Sequence, residues 1–245
     1  MNRSSRAVAA LVLASASFAF APLASADEAA IRKTITERLP NFPAIDEVTK
    51  SSIPGLYELR VGTDIFYTDE QGNYLIEGQM IDTKSRVNLT EQRIAKLTAI
   101  DFKALPLKDA MVWKQGTGER KLVVFADPNC GYCKKFERDL QQVKDVTVYT
   151  FLYPILGGDS SDKSRNVWCA KDATKVWRDW MIEGTPIPAS AGPCDASVLQ
   201  RNVALGRKYR ITGTPGLVFE DGTHKPGAVP AAVVEQLLAA SKTKS

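Results

Sequence analysis

A chain of 245 residues, 44% hydrophobic and 24% charged with a formal net charge of +4, has room for two modest domains, and its charge is too balanced for nucleic acid or an anionic membrane to be the main partner. Four cysteines against a single histidine put thiol chemistry ahead of imidazole chemistry.

Met1 to Ala26 reads as an export signal: Arg3 and Arg6 form a basic start, Ala7 to Phe20 is apolar, and Ala24-Ser25-Ala26 is a small-residue cleavage site. The mature chain then begins near Asp27 and its charge falls to +2 once Arg3 and Arg6 are gone. No later stretch approaches the ~18 apolar residues of a membrane span. Outside the cytosol an even cysteine count is compatible with stable disulfides.

Ile31, Ile35 and Leu39 recur at helical spacing, predicting an amphipathic helix over 28–39 that stops at Pro40. Short strand-like pieces follow at 45–48, 56–61, 65–68 and 74–77, separated by Pro54-Gly55, Gly62 and Asp69-Glu70-Gln71-Gly72-Asn73. Residues 27–88 are thus expected to form an α+β domain, a small antiparallel sheet with one helix. A unit of that size commonly leans on an oligomeric contact. Asn88-Leu89-Thr90-Glu91 carries a helix start, with Asn88 or Thr90 as cap, and predicts a linker helix over 89–105 within a linker reaching 109.

From 110 to 245 strands alternate with helices, an α/β pattern. Lys121 to Ala126 is a continuous apolar strand of the kind buried on both faces. It leads into Asp127-Pro128-Asn129-Cys130-Gly131-Tyr132-Cys133, and then a helix burying Phe136, Leu140 and Val143. Val146 to Tyr153 completes a parallel crossover. Gly216 to Glu220 is a third strand, Asp221-Gly222 turns into a short fourth, and Pro230 opens a closing helix. A helical insertion of about 157–207 lies between the second and third strands. Its Trp168, Trp177 and Trp180 read as core, since large aromatics mainly supply buried area. Cys169 and Cys194 would staple it with a structural disulfide. A four-thiolate zinc site needs two closely spaced pairs, which these positions do not offer, and no metal is expected.

Cys130 and Cys133 are the candidate reactive pair. Three residues make almost one helical turn, so the sulfurs lie on one side of the helix start and can close a disulfide. Cys130 as a thiolate there faces unpaired N–H groups and the positive end of the helix dipole, with Lys134 and Lys135 adding positive charge. Asp127, placed near the surface by its strand position, and Glu137, one turn after Cys133, are the acids close by. The sequence assigns a proton-handling role to neither. His224 is far from the motif in sequence and reads as surface structure.

A strand ending in Cys130-Gly131-Tyr132-Cys133, with Thr212-Gly213-Thr214-Pro215 entering a later strand, looks like the thioredoxin fold. The Gly-Tyr centre, the Trp168-Cys169-Ala170-Lys171-Asp172 segment, the second cysteine pair and the preceding small sheet resemble the DsbC family of periplasmic disulfide isomerases. Many thioredoxins carry a buried Asp where this chain has Val124. The resemblance implies a homodimer joined through the N-terminal sheets, a periplasmic location and Pro215 in the cis form. It also implies that backbone groups at Thr214 bind an extended client segment. Misoxidised or partly folded secreted proteins would be the clients, a DsbD-type membrane reductase would keep the pair reduced, and no cofactor is required. The related DsbG branch typically has Pro where this chain has Gly131 and usually lacks the second pair. A DsbG-like oxidase or reductase, or a holdase-type chaperone whose cysteines are incidental, are the rival readings.

Overall fold

The computed structural model describes residues 24–190 and 192–242; the proposed export signal lies outside the described residues as far as residue 23. The chain divides between Gly78 and Gln79 into two compact units.

In the first unit, helix α1 (Ala24–Arg38) covers a four-stranded antiparallel sheet of β1 (Glu47–Lys50), β2 (Leu56–Val61), β3 (Asp64–Asp69) and β4 (Leu75–Glu77), paired in chain order. Ile31 and Ile35, four residues apart on one helix face, bury against Val48, Tyr57 and Leu59. Each such isoleucine contributes about 1.5–3 kcal/mol by leaving water. Leu39, expected to continue this stripe, lies past the helix end and is exposed, because Pro40 disfavours a helical backbone at the residue before it. Gly72 has φ of +70°, and a Cβ there would come within 3.2 Å of the Thr34 side chain and 3.4 Å of the Ile31 carbonyl. Glycine therefore lets the β3–β4 turn close onto α1.

The second unit opens with a hairpin that the sequence reading missed, β5 (Ile81–Asp82) and β6 (Val87–Asn88), running directly into α2 (Leu89–Leu97). Asn88 is the N-cap, its side chain accepting the Glu91 N–H, while Thr90 is buried and its hydroxyl accepts the Met80 N–H. These bonds tie the hairpin to α2, so the units part ahead of residue 88. The helix is shorter than expected. It stops at Leu97, where Thr98 bonds back to the Ile94 carbonyl, and the Asp101 side chain caps a separate 3₁₀ turn over Phe102–Ala104. Ile100 is buried between the two and donates its N–H to the Gly222 carbonyl at 2.9 Å.

The main sheet has the order β11–β10–β8–β9–β7, built from β7 (Met111–Gln115), β8 (Arg120–Ala126), β9 (Val146–Leu152), β10 (Gly216–Phe219) and β11 (His224–Pro226). Only β8 and β9 are parallel, joined through α3 (Gly131–Leu140). Alternation along the central strand β8 feeds two cores. Leu122 and Val124 join Phe136 and Leu140 of α3 and Val234 and Leu238 of α7 (Ala231–Lys242), whereas Val123 and Phe125 join Phe102, Phe151 and Ile211. The insertion contains α4 (Ser160–Trp168), α5 (Ala173–Arg178) continuing into a π turn over Asp179–Glu183, and α6 (Ser197–Lys208). Cys169 and Cys194 are disulfide-bonded across it, with their Cα atoms 5.8 Å apart.

Candidate redox site

Strand β8, the middle of five, ends at Ala126, and the chain turns through Asp127-Pro128-Asn129 before α3 begins. Cys130 is the N-cap of α3, in an extended backbone conformation, and its sulfur accepts the Cys133 N–H at 3.1 Å. Both cysteines are free thiols and both are buried, whereas Tyr132 between them is 72% exposed. The peptide bond Thr214–Pro215 is cis, and the Cys130 thiol donates to the Thr214 carbonyl at 3.2 Å. The fold thus brings together two pairs of residues more than eighty positions apart, Cys130 with Cys133 and Thr214 with Pro215. Cys169 and Cys194 belong to the insertion, their sulfurs bonded to each other.

The two thiols differ sharply in acidity. A hydrogen bond from the Cys133 thiol, with further help from the Thr214 side chain and the N–H groups of Cys133 and Tyr132, brings Cys130 down from the ordinary 9.0 to about 6. Burial pushes the Cys133 thiol far up, and its bond to Cys130 adds to the rise. A helix start stabilises the anion it caps and does nothing for the sulfur one turn inside. Near neutral pH the pair therefore presents one thiolate and one protonated thiol.

Asp127 is not near the surface, as its strand position suggested, but fully buried. One oxygen accepts the Asn129 N–H and the Ser160 hydroxyl, both at 2.8 Å; the other accepts the N–H groups of Ile155 at 2.8 Å and Leu156 at 3.0 Å. The carboxylate turns away from the strand into the loops after β8 and β9, and four donors satisfy both of its buried oxygens. Glu137 is buried beneath the helix, where one of its oxygens accepts the Trp177 indole N–H at 2.7 Å. His224 is half-buried with no hydrogen-bond partner at Nε2, so the reading of it as surface structure is corrected; burial holds its pKa below the usual value. Val124 is apolar core.

Of the insertion's tryptophans, Trp177 is core, as its spacing predicts, but Trp180 is a neighbour of the site. Its indole donates to the Pro128 carbonyl at 2.7 Å, and Lys134 and Lys163 place their ammonium groups 3.7 and 4.6 Å from its ring centroid. Lys163 also bonds the Asn129 side chain, which in turn bonds Asp159 and Ser160. This rim is not legible in the sequence, because no spacing relates α3 to residues thirty to fifty positions away.

A dithiol capping the helix after the central strand, beside a cis-proline loop, defines a thiol oxidoreductase of the thioredoxin-like class. A thioredoxin-like domain profile matches residues 107–242, and the profile of the disulfide bond isomerase protein N-terminal domain matches 22–91. The chain is 42% identical over 209 residues to the probable thiol:disulfide interchange protein DsbC of Bordetella pertussis, covering 85% of this chain and 73% of that one. It is 29% identical over 227 residues to the thiol:disulfide interchange protein DsbC of Escherichia coli K12, covering 90% and 91%. Among solved structures, a disulfide interchange protein from Neisseria gonorrhoeae superposes with a TM-score of 0.53 at 34% identity, over 56% of this chain and 99% of that one. The chain belongs to the DsbC family, and it is an enzyme of thiol:disulfide interchange.

Proposed function

We propose that Cys130 is the attacking thiol and Cys133 the resolving thiol of a disulfide isomerase acting on exported proteins. The observation that carries this assignment is the placement of the pair, Cys130 capping the helix with its sulfur accepting the Cys133 N–H at 3.1 Å and Cys133 buried one turn inside, which divides their acidity in the same sense. The Cys130 thiolate attacks one sulfur of a wrong client disulfide, forming a mixed disulfide and releasing the other sulfur as a client thiolate. That thiolate attacks a second client disulfide, and a rearranged client sulfur finally displaces Cys130. If rearrangement stalls, Cys133 attacks the Cys130 sulfur, expelling reduced client and leaving Cys130 and Cys133 oxidised. The Thr214 carbonyl, bonded by the Cys130 thiol at 3.2 Å, lies where an extended client segment could pair beside the reacting sulfur.

The same reading places the mature protein in the periplasm, dimeric through its N-terminal sheet, with a DsbD-type membrane reductase returning the pair to the dithiol form. The test is reactivation of a scrambled multi-disulfide protein by wild type, Cys130→Ala and Cys133→Ala, with oligomeric mass recorded for each. Cys130→Ala is expected to be inactive. Reactivation that survives this change would establish a holdase and sink the isomerase assignment, whereas activity confined to oxidised enzyme with a reduced client would favour a DsbG-like oxidase.

A further inference from the structure

We propose that Glu137 takes the proton from Cys133 when Cys133 resolves a mixed disulfide. The inference rests on the roles just given to the two cysteines. Cys133 is 1% exposed, so its thiol has little access to bulk water, yet it must become a thiolate to attack. The base has to come from within the protein.

Two buried carboxylates lie close to the pair in sequence, and their hydrogen bonding separates them. Asp127 has two donors on each oxygen, so neither oxygen keeps an open acceptor site. Glu137 is bonded through one oxygen only. Its Oε1 accepts from Trp177, while Oε2 is buried with no hydrogen-bond partner. An acceptor with an open site is what an incoming proton requires. Glu137 stands four residues after Cys133 on α3, and such residues are neighbours on a helix surface, with Cβ atoms about 5–6 Å apart. Both side chains are buried, Cys133 in one core cluster with Phe136 and Trp177, and Glu137 bonded to the same Trp177.

The charges around Glu137 suit this task. Burial raises its pKa, while the Trp177 N–H and the positive charge of Arg178 on α5 oppose the rise. Arg178 stacks 4.4 Å from the Trp113 ring of β7, and Asp179, which opens the π turn packed on α3, is ion-paired to Lys175. On α3 itself Lys134 and Lys135 turn elsewhere, to Trp180 and Asp139. The step balances: the Cys133 proton moves to Glu137, the Cys133 thiolate bonds the Cys130 sulfur, the bond from Cys130 to the client breaks, and the client leaves as a thiolate. Glu137 then returns its proton to solvent or to that leaving sulfur.

Reaction of the reduced full-length protein with an aromatic disulfide such as 5,5′-dithiobis(2-nitrobenzoate) separates the two steps. A first coloured thiolate is released by Cys130 and a second by Cys133. Glu137→Gln keeps an acceptor for Trp177, and its first phase is expected to stay near the wild-type rate. Its second phase should slow by about 100-fold, the low end of general-base contributions, and should climb steadily with hydroxide where wild type levels off. Trp177→Phe, which removes a donor to the carboxylate, should move that levelling-off to higher pH. A second phase in Glu137→Gln with the wild-type rate and pH profile would overturn the proposal, and so would an equal slowing of both phases, which assigns Glu137 to packing alone. A first phase that survives Cys130→Ala would instead refute the role given to Cys130, so the two failures are distinguishable.

Discussion

Ionisation of Cys130 should make the reduced protein more stable as pH rises from 6 to 9, and replacing this residue should abolish that gain. The folded pKa of about 6 lies below the ordinary 9.0 expected once the chain unfolds. A group depressed in this way stabilises the fold fully above its unfolded pKa and loses that contribution as pH falls through its folded pKa. At ~1.4 kcal/mol per pH unit, the drop from 9.0 to about 6 sets an upper value of about 4 kcal/mol. Cys133 does not ionise in this window, because burial raises its pKa. The half-buried His224, also depressed, adds stability as pH rises toward its ordinary 6.5, but equally in both proteins compared. Denaturant unfolding of reduced wild type and Cys130→Ala can be followed by tryptophan fluorescence. All four tryptophans, Trp113, Trp168, Trp177 and Trp180, lie in the unit that holds the site. The difference between the two proteins should widen by up to about 4 kcal/mol across the window. A difference that stays flat would show that Cys130 is not selectively stabilised as a thiolate, and the assignment of attacking and resolving roles would lose its basis.

Asp127→Ala strands three backbone N–H groups and the Ser160 hydroxyl, and should cost about 3–5 kcal/mol in denaturant unfolding of the second unit, with slower Cys130 reactivity. Replacing Cys169 and Cys194 together by alanine should lower the stability of that unit by about 3 kcal/mol in the entropic account of a loop of this size. The Cys130 reaction with small disulfides should be unchanged, and a lost first phase would show that the staple shapes the site. A chain starting at Gln79 should sediment as a monomer that keeps dithiol reactivity and loses most isomerase activity; a dimer would refute the N-terminal assignment.

Much of this was legible in the residues because the governing forces are local. The spacing of Cys130 and Cys133, the apolar run of β8 and the Asn88 cap each act over less than two helical turns. The expected strands 56–61 and 65–68 recur as β2 and β3 within a residue, since turn chemistry brackets them. Strand β7 was overlooked although Met111 and Trp113 alternate inward around exposed Val112. The shortened α2 follows from Asp101, whose side chain starts a new turn where apolar spacing alone would have continued the helix. The burial of Asp127 and the contacts of Trp180 with the site, which it makes while also packing on the core, are illegible for a different reason. Their environments are made by loops from β9 and by the insertion, which no period in the sequence connects to the motif.

The bonds of Asp127 bear on how portable the redox motif is. Its carboxylate laces the segment leading into Cys130 to the Ile155-Leu156 loop and to the first residue of α4. The smallest transferable part is therefore a discontinuous one, in which the cysteine loop and the entry to the insertion travel together. Grafting residues 127 to 133 alone onto another thioredoxin-like scaffold would carry over the sulfurs and leave their mounting behind.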